Sequence, residues 1–179
     1  MPIPLLALVI PGVVGAALVY RARKPRAARF LVKPFAKAYI PRPGAKASFD
    51  FQRSETHRHR GIDLGAPVGT PIFPSAPGVV VHAISRPGTP GFRGYGRVVV
   101  IRHDNGLYTL YSHLHEVKTQ EGASVGMGDS IGTVGRSCDT ADNPNHLCDG
   151  PHLHFELSAK AYPQDAEAPR LDPTKYLLA

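Results

Sequence analysis

Two histidines stand one residue apart in the segment DGPHLHFEL, residues 149–157. The apolar residues around them predict a buried strand, in which residues two apart point to the same face. The imidazoles of His152 and His154 should therefore project side by side, while Leu153 and Phe155 enter the core. Two imidazoles on one face of a sheet can form half of a metal site, because neutral imidazole is a common zinc ligand.

The complementary ligands occur upstream in HRGID, where His59 and Asp63 are four residues apart and Gly61 permits a tight backbone path between them. A catalytic zinc ion takes three protein ligands and keeps one position open for water, and histidine with a carboxylate is a common set. Each motif alone occurs often by chance, and a single histidine usually has a structural role. Both motifs in one chain, with glycine-rich strands between them, indicate one metal site.

The elements that must position these residues are short strands. After residue 50, brief apolar runs alternate with turns, in a chain that has 18 Gly, 18 Pro and no Trp. Strands are predicted near residue 72, over 79–84, over 98–102 and over 107–113, with HDNG as the turn between the last two. GDSIGTVG and PHLHFELS add two more. Six or more short strands without a helical period predict a mainly all-β fold, an antiparallel sheet or sandwich.

The amino-terminal part has a different character. Residues 1–20 are almost entirely apolar and uncharged and precede the basic run RARKPRAAR. About 19 apolar residues can span a bilayer as a helix, so this segment is predicted to be a membrane anchor or an apolar arm that docks in an assembly. A signal peptide would carry its positive residues before the apolar run. Residues 21–50 are predicted to be a basic, proline-containing linker, and residues 51–179 the folded domain.

The positive net charge of the chain, +7, arises from the predicted linker. Residues 21–46 hold nine of the 21 Lys and Arg side chains, and Asp50 is the first acidic residue. The remaining 12 basic and 14 acidic side chains give residues 47–179 a balance of −2. The charge therefore predicts no nucleic-acid partner for the folded domain.

Over about residues 55–178 the chain resembles the lysostaphin-type zinc metallopeptidases, the LytM-like peptidoglycan endopeptidases. The matching segments follow the family's order: HRGIDLGAPVGTPIFPSAPGVVV, GYGRVVVIRHDNGLYTLYSHL, GDSIGTVGRS, GPHLHFEL and the closing RLDPTKYL. The resemblance implies the antiparallel β-sheet of these peptidases, a duplicated hybrid motif, preceded here by an apolar helix or arm.

The resemblance also implies residue roles. One zinc ion would be held by His59, Asp63 and His154, and the catalytic histidines would be His113, in YSHL, and His152. Zinc lowers the pKa of its bound water and polarises the scissile carbonyl. His152 would take a proton from that water, and His113 would orient the water or stabilise the tetrahedral intermediate, although the two roles could be exchanged. The register of the family motif favours His59 over the nearby His57 as the ligand.

The predicted function is hydrolysis of the peptide cross-links in bacterial peptidoglycan, with the stem peptides as partner. The family includes enzymes that cut glycine bridges and enzymes that cut the direct D-alanyl to diaminopimelate link, and the sequence leaves this choice open. The alternatives are a non-catalytic relative that binds the cell wall or activates a separate amidase, and a structural component of a phage tail. Such relatives lose zinc ligands, whereas this chain keeps all five site positions.

Two locations are consistent with the sequence. A membrane-associated enzyme would act on the periplasmic or extracellular face of the cell envelope, but the positive-inside rule would keep the basic run in the cytoplasm. A phage virion would carry the enzyme to the wall from outside. Residues 1–46 would then contact the tail assembly or the host membrane.

Two segments, 85–96 and 138–148, are predicted to wall the groove because they exceed the length of a minimal hairpin. Cys138 and Cys148 bound the second, either as a disulfide or as free thiols. A cysteine-based zinc site with His146 is disfavoured, because it would need more sulfur ligands.

Five other residues have open or structural interpretations. His82 and His103 are predicted to have structural roles, and Tyr95 and Tyr111 to pack in the core, with substrate contact as the alternative for a groove tyrosine. His115 is a candidate for the groove lining.

Overall fold

The computed structural model describes residues 59–139, 145–163 and 170–177, together with Leu31, Pro34 and Asn143. The predicted apolar segment 1–20 lies outside the described residues, as does His57 and nearly all of the predicted linker. Leu31 and Pro34 are the exceptions: Leu31 is fully buried in the main core and forms a bridge with Leu177, and the Pro34 carbonyl oxygen accepts a hydrogen bond from the Phe73 N–H at 2.9 Å. In the part of the chain that is described, no helix has the length and hydrophobicity needed to span a bilayer.

Within the described residues, nine strands form one antiparallel sheet, which confirms the predicted fold class. In chain order they are β1 Ile62–Gly65, β2 Pro71–Ile72, β3 Gly78–Ile84, β4 Val98–His103, β5 Tyr108–Ser112, β6 Leu114–Val117, β7 Ser124–Val125, β8 Gly132–Ser137 and β9 Leu147–Ser158. The order across the sheet is β2-β8-β9-β5-β4-β3-β7, with β1 also paired to β9 and β6 to β8. The long strand β9 therefore lies at the centre of the pairing.

The core lies on both faces of β4, which explains why its apolar run is continuous. Val99 and Ile101 join the larger core cluster, whereas Val98 and Val100 face a smaller one. Neighbouring residues of a strand point to opposite faces, so a strand buried on both sides loses the alternation of apolar and polar residues. Each such fully buried side chain contributes about 1.5–3 kcal/mol to folding.

The predicted hairpin is present, with a sharper end than expected. Asp104 and Asn105 are the central residues of the turn, the N–H of Gly106 donates to the His103 carbonyl oxygen at 3.0 Å, and Gly106 follows with a positive φ of 78°. The predicted strand over 107–113 ends at Ser112, because His113 has a left-handed backbone with φ of 60°. This break turns His113 out of the ladder.

The closing segment packs against the final strand. Leu171 forms a bridge with Leu157, and a short 3-10 helix over Pro173–Lys175 follows. The carboxylate of Asp172 accepts a hydrogen bond from the backbone N–H of Thr174 at 3.0 Å and caps this turn. The segment thereby brings Arg170, just before it, against β9.

Candidate metal centre and groove

Strand pairing with β9 brings the predicted ligands together. In the β1–β9 ladder Asp63 lies directly opposite His154, and in the β5–β9 ladder Ser112 is the partner of His154. Directly opposite residues of paired strands point to the same face. A Cβ at Gly61 would collide with the carbonyl oxygen of Phe155, so only glycine allows the chain to enter β1 this close to β9.

Three ligand atoms converge on one point. His59 Nε2 lies 3.1 Å from Asp63 Oδ1 and 3.1 Å from His154 Nδ1, and His154 Nδ1 lies 2.9 Å from Asp63 Oδ1. No placement of protons turns all three pairs into hydrogen bonds, because the carboxylate oxygen only accepts and each ring nitrogen either donates or accepts. A single cation at the centre satisfies all three atoms at once.

The dimensions of this triangle fit zinc. A tetrahedral ion with bonds of 2.0–2.1 Å separates its ligand atoms by about 3.3 Å, close to the three observed distances. Burial disfavours the charged form of His154, but hydrogen bonds to the Asp63 and Glu156 carboxylates outweigh it and raise the pKa of His154 to about 9. Burial alone would raise the pKa of Asp63, yet hydrogen bonds from His154 and His59 hold it well below its usual range. The electrostatic field at the centre of the triangle therefore favours a positive charge.

A buried carboxylate holds the ring of His154 in place. His154 Nε2 donates to Glu156 Oε1 at 3.0 Å, which leaves Nδ1 as the atom that faces the other two ligands. Glu156 is fully buried and in turn accepts hydrogen bonds from Tyr95 Oη at 2.7 Å, Tyr162 Oη at 2.8 Å and Arg170 Nε at 2.7 Å. Burial opposes the charge on Glu156, but the bond with His154 and these further bonds lower its pKa to about 2.

Sequence reasoning did not identify Glu156, Tyr162 and Arg170 as part of the site. Glu156 lies two residues after His154, so the strand period alone could have placed it on the same face. No local signal points to Tyr162, which follows β9 in the chain, or to Arg170, which the closing segment brings to β9.

His113 stands beside the ligands on the other side of β9. Its Nδ1 donates to the carbonyl oxygen of Ser137 at 2.9 Å, and its ring centroid is 4.8 Å from that of His152. Burial, reinforced by electrostatic repulsion from His154, lowers the pKa of His113 to about 3. The ring is therefore neutral near pH 7, with Nε2 as its unprotonated nitrogen.

His152 has the same orientation of its two nitrogens. Nδ1 donates to the carbonyl oxygen of Gly150 at 3.2 Å, and Nε2 lies 3.8 Å from Asp63 Oδ1. This Nε2 is near the ligand triangle but is not one of its corners. The structure thus brings together all five predicted site residues. His154 Nδ1 is a corner of the ligand triangle, whereas His152 Nε2 lies outside it.

An open groove of about 370 Å³ lies over the five residues. The predicted wall 85–96 supplies Arg93, Gly94 and Tyr95, and Arg60 completes the rim. Tyr95 is thus a groove residue, whereas Tyr111 is fully buried, as predicted for a packing residue. Exposed His115 is not part of this lining.

The two other histidines have the predicted structural roles. His82 Nε2 bonds to the Tyr162 carbonyl oxygen at 2.9 Å, and buried His103 bonds to the Pro77 carbonyl oxygen and to Thr109 Oγ1 at 2.8 Å each.

The prediction that 138–148 walls the groove is wrong for its described residues. Cys138 and Cys148 form a disulfide with 5.5 Å between their Cα atoms, and their sulfurs lie 3.5 and 3.3 Å from His113 Nδ1. The base of the segment is therefore behind His113, away from the opening. Although these three side chains are close enough to share a metal, disulfide sulfurs lack the thiolate charge that binds zinc.

Removing the disulfide should lower stability. Closing a loop with a sequence separation of 10 restricts the unfolded chain, so replacing both cysteines by serine should cost about 3 kcal/mol in the free energy of unfolding. Thermal unfolding of the zinc-loaded chain should show a drop in Tm of about 10 °C. Dithiothreitol should reproduce this drop in the wild type and leave the double variant unchanged. Equal Tm values for wild type and variant would contradict the prediction.

Comparison with known proteins identifies the family. Residues 57–166 match the profile of Peptidase family M23. The chain belongs to peptidase family M23. This confirms the sequence-based resemblance to the lysostaphin-type metallopeptidases.

Named proteins and solved structures are similar to this M23 domain. The Neisseria meningitidis serogroup B protein named DD-carboxypeptidase/endopeptidase Mpg is 42% identical over 105 residues, 59% of this chain and 21% of that protein. The chain thus matches about a fifth of the length of this curated relative. The catalytic domain of the prophage-encoded M23 protein EnpA from Enterococcus faecalis has a TM-score of 0.58 and 26% identity, over 82% of this chain and 97% of that one. A zinc-containing peptidase from Vibrio cholerae has a TM-score of 0.55 and 26% identity, over 79% and 41%.

The Glu156 carboxylate should strengthen metal binding in this M23 domain. Partners that orient a metal-binding histidine change metal affinity about 10–100-fold, so Glu156→Gln should weaken zinc affinity at least about tenfold. Tyr162→Phe removes one hydrogen bond to the carboxylate and keeps its charge, so its effect should be smaller. Competition with a chromophoric chelator measures both affinities. A folded Glu156→Gln chain with wild-type zinc affinity would contradict the role of Glu156.

Proposed function

We propose that the chain is a zinc-dependent endopeptidase that hydrolyses peptide cross-links of bacterial peptidoglycan. The observation that carries the proposal is the convergence of His59 Nε2, Asp63 Oδ1 and His154 Nδ1 on the floor of an open groove. Zinc held there would lower the pKa of a bound water toward about 7 and polarise the scissile carbonyl.

The two remaining histidines perform the proton chemistry. His152 Nε2 carries the lone pair that faces the ligand triangle, because its Nδ1 proton is bonded to Gly150. His152 therefore accepts a proton from the attacking water and returns it to the leaving amine. His113 Nε2 likewise carries a lone pair, and it orients the water by accepting a hydrogen bond.

Membership of family M23 and the names of the relatives support the substrate. The Neisseria protein is named as a carboxypeptidase and endopeptidase of the DD type, and the Vibrio structure is of a zinc-containing peptidase. Peptidoglycan lies outside the cytoplasmic membrane, so we place the chain in the cell envelope. The disulfide is consistent with an oxidising compartment.

A phage particle is the second context that an observation favours. The EnpA domain, which shares this fold over 97% of its length, is prophage-encoded. In that context residues 1–46 attach the enzyme to the tail or to the host membrane. Deleting residues 1–46 tests each context. Unchanged association with membranes would contradict a membrane anchor, and unchanged incorporation into particles would contradict attachment to a phage tail.

The proposed activity can be tested on purified peptidoglycan. Mass spectrometry of muropeptides should show new peptide ends after incubation with the zinc-loaded chain and none after metal removal by a chelator. Zinc added back to the chelated chain should restore the products. An unchanged muropeptide profile with the zinc-loaded chain would favour the wall-binding or amidase-activating alternative.

A further inference from the structure

Two arginines line the groove beside the metal centre. Arg60 directly follows the ligand His59, and Arg93 belongs to the wall formed by 85–96. Arg60 is half-buried and Arg93 is exposed. Tyr95 stands between Arg60 and the centre, since its ring centroid is 5.9 Å from that of His154.

Neither guanidinium has an acidic partner among the residues that the structure describes. Arg60 Nη1 makes one long contact, donating to Tyr95 Oη at 3.5 Å. Within the same described ranges Arg93 forms no hydrogen bond or ion pair. Arg97 provides a contrast, because its Nε donates to the Ser85 carbonyl oxygen at 3.0 Å and thus has a structural role.

The carboxylates of the groove do not neutralise these arginines. Asp63 faces His59 and His154, and Glu156 is bonded to Arg170 and two tyrosines. Among the described residues, the rim therefore carries uncompensated positive charge next to the candidate metal centre. A concave surface of one charge sign concentrates ligands of the opposite sign.

We infer that Arg60 and Arg93 bind a free carboxylate of the peptide substrate beside the scissile bond. A guanidinium pairs with a carboxylate through two parallel hydrogen bonds, which makes it selective for this group. Diaminopimelate keeps a free carboxylate next to the amine that is acylated in the direct cross-link, whereas a glycine bridge has no ionisable side chain. The chain therefore prefers the anionic direct cross-link to a glycine bridge, an inference that rests on the proposed function for its substrate.

The decisive comparison uses two muropeptide dimers that differ only in this carboxylate, one free and one amidated on diaminopimelate. The wild-type, zinc-loaded chain should cleave the free acid with kcat/KM about 10–100-fold higher, the range expected for a charged hydrogen-bonded pair. The double variant Arg60→Gln, Arg93→Gln should lose this preference by slowing only on the free acid. Arg102→Gln, which removes an exposed arginine of β4 outside the groove lining, should keep the wild-type ratio.

Equal kcat/KM for the two dimers, or equal loss on both in the double variant, would overturn the inference. Binding is measured separately by calorimetry with zinc-loaded His152→Ala, where the free acid should bind about tenfold more tightly than the amide. Tight, acid-dependent binding without cleavage by the wild type would reject the endopeptidase and retain the carboxylate site. Cleavage without acid preference would reject the carboxylate site and retain the endopeptidase.

Discussion

His154→Ala should lose both the bound zinc and the activity. His154 Nδ1 is one of three converging ligand atoms and the most buried of them, with 9% of the side chain exposed. Losing a direct ligand should weaken zinc affinity by more than the ~10–100-fold expected for an orienting partner such as Glu156. Metal analysis after gel filtration should show one zinc per chain in the wild type and close to none in the variant. Muropeptide cleavage should fall at least about 10³-fold, because zinc supplies both the nucleophile and the polarised carbonyl.

His115→Ala is the matched control for His154→Ala. His115 is an exposed histidine that lies near the site in the chain but outside the groove lining. This variant should keep its zinc and its activity. One zinc per chain in His154→Ala would show that the ion binds elsewhere.

His152→Ala should abolish cleavage while zinc remains bound. Its Nε2 is 3.8 Å from Asp63 Oδ1 and lies outside the ligand triangle, so its removal leaves all three ligands in place. A general base contributes about 10²–10⁴-fold to rate, and kcat should fall by that factor with little change in KM. Zinc analysis and steady-state kinetics on the same preparation measure both quantities.

The opposite metal content would reverse the assignment of the pair. If His152→Ala empties the site and His154→Ala keeps its zinc, His152 is the ligand and His154 the base. The hydrogen bond from His154 to buried Glu156 argues against this, because it gives His154 the fixed orientation that a ligand needs.

The sequence predicted those features of the fold that depend on local periodicity. The strands near residue 72 and over 79–84, 98–102 and 151–158 follow from short apolar runs between turn residues, and the period of a strand places His152 and His154 on one face. Asp63 is different, because its spacing from His59 does not determine the β1–β9 register that sets it opposite His154. The two motifs taken together, and the resemblance to a known family, predicted that Asp63 and His154 share a site, but neither predicted this strand pairing.

The features that sequence reasoning missed depend on contacts between distant segments. The strand predicted to reach His113 ends one residue earlier, because His113 is held by the carbonyl oxygens of Tyr95 and Ser137 rather than by the ladder. Segment 138–148 has the composition of a surface loop, yet its disulfide turns its base toward the back of His113. Arg170 reaches Glu156 only because the closing segment folds against β9.

Titration of the metal-free chain with zinc, followed by mass spectrometry of the released muropeptides, tests the central claim most directly. Cleavage should be absent without zinc, rise in proportion to added zinc, and level off at one zinc per chain. New peptide ends produced by the metal-free chain, or none at any zinc concentration, would contradict the assignment of His59, Asp63 and His154 as the centre of a zinc endopeptidase.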